Sequence, residues 1–316
     1  MIKLNNNKKD FIDINILKEK DLKSIIDIAK KLKSLNIEQK NDLLKFQNLA
    51  MIFEKNSTRT RVSFEAGINQ LGGNAIVMNS SSMQLSKGEP AEDTAKVLSG
   101  MVDMIMIRCK SHDLLTKIAE NSTIPVINGL TDYSHPCQIM ASILTIEEKL
   151  GADISAKKLS WFGDANNVLI SYIHAAVKFK YQLDIAVPEG FDFCNKDIDI
   201  AKKLGANINL YHDPKKAAEN SDVLITDTWV SMGDFSGEDS SAKEYKIKLL
   251  QPYQVNQNLM ALANKNAIFT HCLPACRGFE VSSQVIDSKQ SVIFEEAHNR
   301  LTAQQAIMLW LNNKNI

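Results

Sequence analysis

Two arginines lie in the first turn of a predicted helix, within the stretch FEKNSTRTR at 53–61. The apolar run LAMIF predicts a buried strand before them, and the spacing of apolar residues in VSFEAGINQLGG predicts a helix after them. Ser57 or Thr58 would be the N-cap of that helix. The N-terminus of a helix carries partial positive charge, so Arg59 and Arg61 are unfavourable there. A bound anion reverses this, because backbone N–H groups, hydroxyls and guanidinium groups together suit a phosphate.

The same arginines also have a purely structural interpretation. Arg61 and Glu65 are four residues apart and would pair on one helix face, while Arg59 would simply point into water. This stretch taken alone leaves both interpretations open.

Polar residues also follow several other predicted strands. In doubly wound sheets, ligands bind beyond the carboxyl ends of the parallel strands, so residues at these positions are candidates for chemistry. The candidates are Arg108 after MIMI, Asp164 and Asn166–Asn167 after LSWFG, Asp227 after VLIT, and His271 with Cys272 after AIFT.

Strand-like and helix-like segments alternate along the chain, which predicts βαβ units and parallel sheets. The first set of strands is LAMIFEK, NAIVMN, VDMIMIR and TIPVING, and the second is LSWFGD, QLDIAVP, ANINLYH, DVLITDTWV and AIFTHCLP. We therefore expect an α/β protein with two doubly wound parallel-sheet domains, 1–150 and 151–296, divided at Gly151. The polar stretch 231–248 predicts a mobile surface loop of the kind that often forms a lid.

The composition is that of a soluble globular protein. Of 316 residues, 44% are hydrophobic and 23% charged, and Lys+Arg and Asp+Glu both number 37, so the formal net charge is zero. Nothing here favours nucleic acid or an anionic membrane surface as a partner. No apolar stretch is long enough to span a bilayer, and the first residues lack the patterns of a signal or transit peptide.

The five cysteines are odd in number and scattered, which argues against a disulfide framework and predicts a reducing, cytoplasmic location. Cys272 and Cys276 form a CxxxC with His271 beside it. A zinc site would need further ligands at finger-like spacing, so we expect no metal.

Four motifs occur in an order that resembles one enzyme family: STRTR at 57–61, HPCQ at 135–138, DTWVSMG at 227–233 and HCLPACRG at 271–278. Together they resemble the aspartate/ornithine transcarbamoylases, over nearly the whole chain. STRTR and HPxQ are common to the aspartate and ornithine enzymes. DxxxSMG and HCLP are typical of the ornithine carbamoyltransferases, whereas the aspartate enzymes have a PLP-type sequence in place of HCLP.

This resemblance implies a carbamoyl-phosphate site with no metal ion or organic cofactor. Its residues would be Ser57, Thr58, Arg59, Thr60, Gln84, Arg108, His135, Gln138, Cys272, Leu273 and Arg300. Thr60, Arg108 and His135 would stabilise the oxyanion, and Gln138 would hold the carbamoyl NH₂. His135 could instead only cap the helix that begins at Pro136.

Gln84 lies in SSSMQLSKG, which in this family crosses to a neighbouring subunit, so the resemblance implies a homotrimer or a multiple of trimers. The alternative is an ordinary solvated loop.

The resemblance also implies an L-ornithine site made by Asn167, Asp227, Ser231 and Met232. The attacking amine must be neutral, and the ornithine side chain is protonated at neutral pH, as lysine is. Asp227 and Cys272 are therefore the candidate proton acceptors, and Arg108 and His135 complete the catalytic set. Asn166–Asn167 could instead be a helix cap only, and Cys272 an inert buried thiol.

The implied reaction transfers the carbamoyl group of carbamoyl phosphate to L-ornithine, giving L-citrulline and phosphate, in a cleft between the domains. Carbamoyl phosphate would bind first, and ornithine would close the loop at 231–248. The C-terminal helix, about 297–316, would pack back on the first domain. The alternatives are a transcarbamoylase for putrescine or acylated ornithine, an inactive relative that binds carbamoyl phosphate, and a dinucleotide-dependent dehydrogenase. The last is weak because GDANN lacks GxGxxG.

Overall fold

The structure is a computed structural model that describes residues 8–55, 57–191, 193–230, 240–314 and 316. Its strands are β1 (Asn48–Phe53), β2 (Asn74–Asn79), β3 (Met104–Arg108), β4 (Val126–Leu130), β5 (Lys158–Phe162), β6 (Gln182–Ala186), β7 (Ile208–Tyr211), β8 (Val223–Thr226) and β9 (Ile268–His271). Its helices are α1 (Glu19–Ser34), α2 (Ile37–Lys40), α3 (Thr58–Gln70), α4 (Ala91–Ser99), α5 (His112–Asn121), α6 (Pro136–Leu150), α7 (Asn167–Phe179), α8 (Asn195–Lys203), α9 (Pro214–Ala218), α10 (Ser240–Leu250), α11 (Gln257–Leu262), α12 (Ser283–Ile286) and α13 (Ile293–Leu311).

The chain divides into two compact units, and both divisions fall inside a helix. The first unit comprises 1–144 and 298–316, and the second comprises 145–297. The divisions therefore lie within α6 and α13. The C-terminal part of α13 is grouped with the N-terminal residues.

The first unit contains a parallel sheet with strand order β2-β1-β3-β4. The four strands match the apolar runs that predicted them, and β3 is buried from Met104 to Ile107. The chain leaves β1 for β2 on one side, whereas β3 lies on the other side of β1, so the strand order reverses between β1 and β3. Their carboxyl ends are in register, with Phe53 opposite Arg108. A reversal of this kind leaves a crevice at the strand ends.

Helix α3 packs its apolar side against the rest of the first unit, but one of its apolar residues is exposed to solvent. Phe64 and Ile68 are fully buried, as the helical spacing predicted. The spacing also placed Val62 on the apolar face, and this was wrong, because Val62 is exposed. Val62 is two residues before Phe64, which turns it about 200° away around the helix.

The second unit contains a parallel sheet with strand order β7-β6-β5-β8-β9, so all five predicted strands of this set are confirmed. Here the order reverses between β5 and β8. Phe162 at the end of β5 lies opposite Thr226 at the end of β8, and Thr226 lies opposite His271 at the end of β9. The polar residues that follow these three strands therefore leave the same edge of the sheet.

The expectation of a loop over 231–248 was wrong for its second half. Residues 231–239 lie outside the described residues, and Ser240–Leu250 is helix α10. Its sequence, SSAKEYKIKLL, contains one Ala, one Glu, two Leu and three Lys, all of which favour a helix, although its Ser and Lys content resembles a loop. Among the described residues, no helix combines the length and the apolar character needed to cross a membrane.

Candidate active site

The first turn of α3 separates the roles of its two arginines. Arg61 Nε lies 3.2 Å from Glu65 Oε2, so the predicted pairing along the helix is confirmed for this arginine. Ser57 occupies the N-cap position, but its side chain makes no capping hydrogen bond. Arg59, in the same turn, is half-buried. Because Arg61 is already paired, Arg59 is the candidate of the two for an anion at the helix N-terminus.

Thr60 is the point at which two other arginines meet. Its side-chain oxygen accepts a hydrogen bond from Arg108 Nη1 at 2.9 Å and another from Arg300 Nη2 at 2.9 Å. Thr60 is fully buried, and Arg300 is buried as well. A hydroxyl has two acceptor lone pairs and one proton. Both lone pairs of Thr60 are occupied, so what this hydroxyl has left to offer a ligand is its proton.

His135 lies in the field of the same two arginines. Burial lowers the pKa of this imidazole well below its usual value, and the charges of Arg300 and Arg108 lower it further. Its backbone carbonyl accepts hydrogen bonds from the Gln138 and Ile139 amides and so caps α6. The capping interpretation is thus correct for the backbone, while the buried side chain is a neutral hydrogen-bonding group.

Two further residues predicted for the carbamoyl-phosphate site lie in different surroundings. Gln138 is buried on the first turn of α6, and its Nε2 lies 3.5 Å from Ser142 Oγ. Gln84 begins a 3₁₀ turn, Gln84–Lys87, and is exposed. Gln84 is not part of the cluster around Thr60 by any hydrogen bond of the described residues.

In the second unit, Asp227 lies at the centre of a hydrogen-bonded cluster. Its Oδ2 accepts a hydrogen bond from Asn166 Nδ2 at 2.8 Å. Its Oδ1 accepts from the Thr228 amide at 2.7 Å and from the Cys272 thiol at 3.0 Å. Asp227 follows β8, Asn166 follows β5 and Cys272 follows β9, so the cluster forms where the strand order reverses. The two proposed proton acceptors, Asp227 and Cys272, are in direct contact.

Asn166 is one of the strand-end candidates named from the sequence, but the ornithine site implied by the family resemblance included only Asn167. Asn166 Oδ1 accepts hydrogen bonds from the Val168 and Leu169 amides, so it also caps α7. The capping interpretation and the site interpretation are therefore both correct for this side chain. Its place directly after β5 was the available signal, because that position lies beside β8.

A glycine allows the loop after β5 to come close to Trp229, the second residue after Asp227. Gly163 has φ of +109°, and a Cβ atom there would lie 2.5 Å from Trp229 Nε1. Trp229 is buried in the DTWV segment. Only glycine combines this left-handed backbone with so close an approach.

Asp164, on the loop after β5, is a second carboxylate close to Asp227. Lys246 Nζ of α10 lies 2.8 Å from Asp164 Oδ2. Burial raises the pKa of the Asp164 carboxyl, Lys246 lowers it, and the neighbouring Asp227 raises it. The sequence did not predict Lys246 as a partner of Asp164, because Lys246 belongs to the polar stretch 231–248, which predicted a mobile surface loop.

Three potential metal ligands also meet in this cluster. One ligand atom each from Asp227, His271 and Cys272 lie within 4.8 Å of one another. Spacing along the chain predicted no metal site, but such spacing does not reveal a cluster formed by residues at the ends of two different strands. The same Asp227 and Cys272 atoms are already joined by a hydrogen bond, so we assign no metal to them.

Two predicted ornithine residues, Ser231 and Met232, lie outside the described residues. Leu273, which follows Cys272, is half-buried and has φ of +60°, in the left-handed region.

Two protein-family models match successive parts of the chain. Residues 9–148 match the model described as the aspartate/ornithine carbamoyltransferase carbamoyl-P binding domain, and residues 155–311 match the Asp/Orn binding domain of the same family. The chain belongs to the aspartate/ornithine carbamoyltransferase family. The family resemblance inferred from the four motifs is confirmed.

Individual members of this carbamoyltransferase family are similar over almost the full chain. Two proteins named ornithine carbamoyltransferase, from Rhodopseudomonas palustris and Bradyrhizobium diazoefficiens, are 48% identical over 309 residues and 49% identical over 303 residues. The alignments cover 97% of both chains in the first case and 96% of both in the second.

Solved structures of the family agree. The ornithine carbamoyltransferase from Pyrococcus furiosus matches with a TM-score of 0.88 at 42% identity, covering 95% of this chain and 96% of that one. The anabolic ornithine carbamoyltransferase from Campylobacter jejuni matches with a TM-score of 0.87 at 39% identity, covering 96% of this chain and 99% of that one. The two parallel-sheet domains are thus the fold of this carbamoyltransferase family.

Proposed function

We propose that the protein transfers the carbamoyl group of carbamoyl phosphate to the side-chain amine of L-ornithine, giving L-citrulline and phosphate. The observation that carries this proposal is the convergence of Arg108 and Arg300 on the buried Thr60 hydroxyl, beside the neutral His135. This is a concentration of positive charge and hydrogen-bond donors at the strand ends of one sheet. It suits a small anion whose carbonyl oxygen gains negative charge during the reaction.

The first unit would bind carbamoyl phosphate. The phosphate would lie on the N-terminus of α3, with Ser57, Thr58 and Arg59 as its ligands. By the same family resemblance, Gln84 would also reach carbamoyl phosphate, and Cys272 and Leu273 of the second unit would line the carbamoyl side through their backbone. The carbamoyl group itself would be taken by Thr60, Arg108, His135, Gln138 and Arg300. Thr60, with both lone pairs occupied, would donate its proton to the carbonyl oxygen.

The second unit would bind ornithine. Asp227 would attract its α-ammonium group, and Asn167, Ser231 and Met232 would complete the contacts by family resemblance. Asn166 holds the Asp227 carboxylate in place at 2.8 Å. DxxxSMG and HCLP favour ornithine over aspartate, and so does the high identity to proteins named ornithine carbamoyltransferase.

The reaction then requires one proton transfer and one displacement. The side-chain ammonium loses a proton to the Asp227–Cys272 pair, and the neutral amine attacks the carbonyl carbon. A C–N bond forms, and the resulting oxyanion is stabilised by Thr60, Arg108 and His135. The bond from the carbonyl carbon to the phosphate oxygen breaks, and phosphate leaves. No electron transfer is involved, and the cleft predicted between the domains stays a prediction.

We further propose that the protein acts as a homotrimer or a multiple of trimers in the cytoplasm. Gln84 is exposed, as a residue that completes a neighbouring subunit's site would be in a single chain. The apolar side chains of Val62, Ile76, Val97 and Met101 are also exposed in the first unit. Ile76 lies on β2, the edge strand of the sheet. The five cysteines are free thiols, which suits a reducing compartment.

The test of the proposed reaction is a comparison of acceptors. Purified protein is assayed with carbamoyl phosphate and each of L-ornithine, L-aspartate, putrescine and N-acetylornithine, with phosphate release and the carbamoylated product both measured. We expect L-ornithine to have the highest specificity constant. A higher specificity constant for putrescine or N-acetylornithine would show that the substrate is that amine and not ornithine. Binding of carbamoyl phosphate without turnover of any acceptor would indicate an inactive relative.

A variant of Asp227 tests the division of labour between the units. Asp227→Asn should lower kcat/KM for ornithine about a hundredfold or more, because both an ammonium partner and a proton acceptor are lost. Affinity for carbamoyl phosphate should stay within about twofold, because its ligands lie mainly in the first unit. Asp199→Asn, on the exposed side of α8, is the matched control and should leave both values unchanged.

A further inference from the structure

A buried pair, His271 and Glu280, lies behind the segment that carries Cys272. His271 Nε2 lies 3.3 Å from Glu280 Oε1, and the two side chains are 0% and 1% exposed. The pair belongs to the second unit and is not among the residues carried over from the family resemblance. A carboxylate is rarely buried to this extent without a specific partner, since removing its charge from water is costly.

The protonation of His271 follows from its other nitrogen. The Leu273 amide donates a hydrogen bond to His271 Nδ1 at 2.9 Å. A ring nitrogen that accepts a hydrogen bond carries no proton, so the proton of the neutral imidazole is on Nε2. Nε2–H therefore faces Glu280, in a contact that is close but not aligned as a hydrogen bond.

Glu280 is itself held in a rigid position. Its backbone carbonyl accepts a hydrogen bond from the Val255 amide at 2.9 Å, and the Ser282 amide donates to Val255 O at 3.0 Å. Its Oε1 also accepts a hydrogen bond from the Cys276 amide. The same Glu280 oxygen therefore lies close to two parts of the 271–280 segment. These are the His271 imidazole at its start and the Cys276 amide in its middle.

The backbone between these two points has an unfavourable conformation. Leu273 has φ of +60°, in the left-handed region that a leucine rarely adopts. Such conformations persist only where the surroundings hold them, and they concentrate at functional sites. The hydrogen bond from the Leu273 amide to His271 Nδ1 stabilises this conformation of Leu273.

The residue between His271 and Leu273 is Cys272, whose thiol donates to Asp227 Oδ1 at 3.0 Å. The His271 amide is fixed as well, since it donates to Glu296 Oε2 at 3.1 Å. With the Thr270–His271 and Cys272–Leu273 peptides both held, the backbone around Cys272 is constrained, and with it the direction of its side chain. We propose that His271 and Glu280 are positioning residues, which hold the turn at Leu273 and thereby keep the Cys272 thiol on Asp227.

This inference deepens the proposed function, because it rests on Asp227 and Cys272 as the ornithine-side proton acceptors. It makes a second claim that does not require turnover. If the thiol is held on Asp227, loosening the turn frees it, and its reaction with an alkylating reagent becomes faster. Alkylation therefore tests the positioning role even if ornithine proves not to be the substrate.

Two pairs of variants separate positioning from bulk packing. Glu280→Met keeps the length of the side chain and removes the acceptor, whereas Glu280→Gln keeps an oxygen that can accept from the Cys276 amide and lie beside His271 Nε2. His271→Asn retains an acceptor near the position of Nδ1, whereas His271→Gln places its amide nearer the position of Nε2. We expect Glu280→Gln and His271→Asn to retain more function than Glu280→Met and His271→Gln. Glu189→Met, at an exposed position, is the control.

The first measurement is the rate at which iodoacetamide modifies Cys272, located by peptide mass. Burial raises the pKa of the Cys109, Cys137 and Cys194 thiols to about 12, so these three should not compete in the folded protein. We expect the Cys272 rate to rise severalfold in Glu280→Met and in His271→Gln, and to rise less in their conservative counterparts.

The second measurement is steady-state kinetics on protein shown to be folded by circular dichroism and thermal melting. We expect kcat with ornithine to fall tenfold to about a hundredfold in the two disruptive variants, since small misplacements of reacting groups have effects of this size. KM for carbamoyl phosphate should be unchanged. A Cys272 alkylation rate within about twofold of wild type in both disruptive variants, with kcat also retained, would overturn the proposal.

A loss that reflects only instability would overturn it too. In that case melting temperature and activity would fall together, and Cys272 alkylation of the folded fraction would match the wild type. If alkylation changes as expected while no ornithine turnover is found in the wild-type protein, the proposed function fails and the positioning inference stands.

Discussion

Arg300 on α13 donates a hydrogen bond to the Thr60 hydroxyl on α3 across a separation of 240 residues, at 2.9 Å. Arg108, at the end of β3, donates to the same oxygen. Because the two arginines use both lone pairs of this oxygen, Thr60 can only donate its own hydroxyl proton to a ligand. The C-terminal helix thereby contributes Arg300 to the cluster around Thr60 in the first unit.

The first prediction concerns this hydroxyl. Thr60→Val keeps the shape of the side chain but removes both the acceptor of the two guanidinium groups and the donor to the carbonyl oxygen. We expect kcat to fall about a hundredfold to a thousandfold, as when one oxyanion donor is lost. Steady-state kinetics with saturating ornithine would measure it. Thr116→Val is the matched control, because the Thr116 hydroxyl bonds only to the backbone of its own helix. Equal kcat in Thr60→Val and wild type would rule out the assigned role of Thr60.

The second prediction separates the two arginines of α3. Arg59→Ala should weaken carbamoyl-phosphate binding by about 1.5–3 kcal/mol, which is the contribution of a charge-assisted hydrogen bond. Arg61→Ala should leave binding nearly unchanged, because Arg61 is engaged by Glu65 and this exposed pair contributes little. Isothermal titration of each folded variant with carbamoyl phosphate or phosphate would compare them. The reverse order of effects would show that the anion lies on the other face of the helix.

The third prediction concerns the pH dependence of stability through His135. Its pKa in the folded protein is well below the usual value of 6.5, so the folded chain stays unprotonated where the unfolded chain binds a proton. The neutral state thus contributes stability above about pH 6.5, and this contribution is lost as pH falls toward the folded-state pKa.

We expect the wild type to lose up to about 1.4 kcal/mol more per pH unit than His135→Gln below that pH. Urea unfolding at a series of pH values would measure the difference, with exposed His298→Gln as the control variant. Parallel stability profiles for wild type and His135→Gln would mean that folding does not lower the pKa of His135.

The fourth prediction concerns assembly and Gln84. If Gln84 completes a neighbouring subunit's site, an inactive Gln84→Ala variant and an inactive Arg108→Ala variant should complement each other. After dissociation and reassociation, a mixed trimer contains some sites with wild-type Gln84 from one chain and wild-type Arg108 from another. Activity should return in part, and native mass measurement would confirm the hybrids.

Hybrids without recovered activity would place both residues in one chain's site or remove Gln84 from the site. A fully active monomer would refute the shared site while leaving the chemistry of the first unit as proposed.

All nine strands of the described chain were predictable from apolar runs. Seven of them are buried over most of their length, as parallel strands covered on both faces are, whereas the edge strands β2 and β7 are mostly not buried. Helix α10 was not, because Ser240–Leu250 carries little amphipathic pattern and follows a polar stretch. The exposure of Val62 was also mispredicted. It lies on the outer side of α3, where composition alone does not distinguish a core position from a surface one.

The sequence by itself determined the alternation of strands and helices, the family through four motifs, and the residue types available at the strand ends. These are local properties, set by periodicity and by short spacings along the chain. Tertiary structure alone decided that Arg300 meets Thr60, that Asn166 both caps α7 and holds Asp227, and that Glu280 faces His271. Such contacts depend on the order of the strands in each sheet. An alternating pattern does not specify that order, because the same alternation is compatible with several orders and only the packing of the whole sheet selects one.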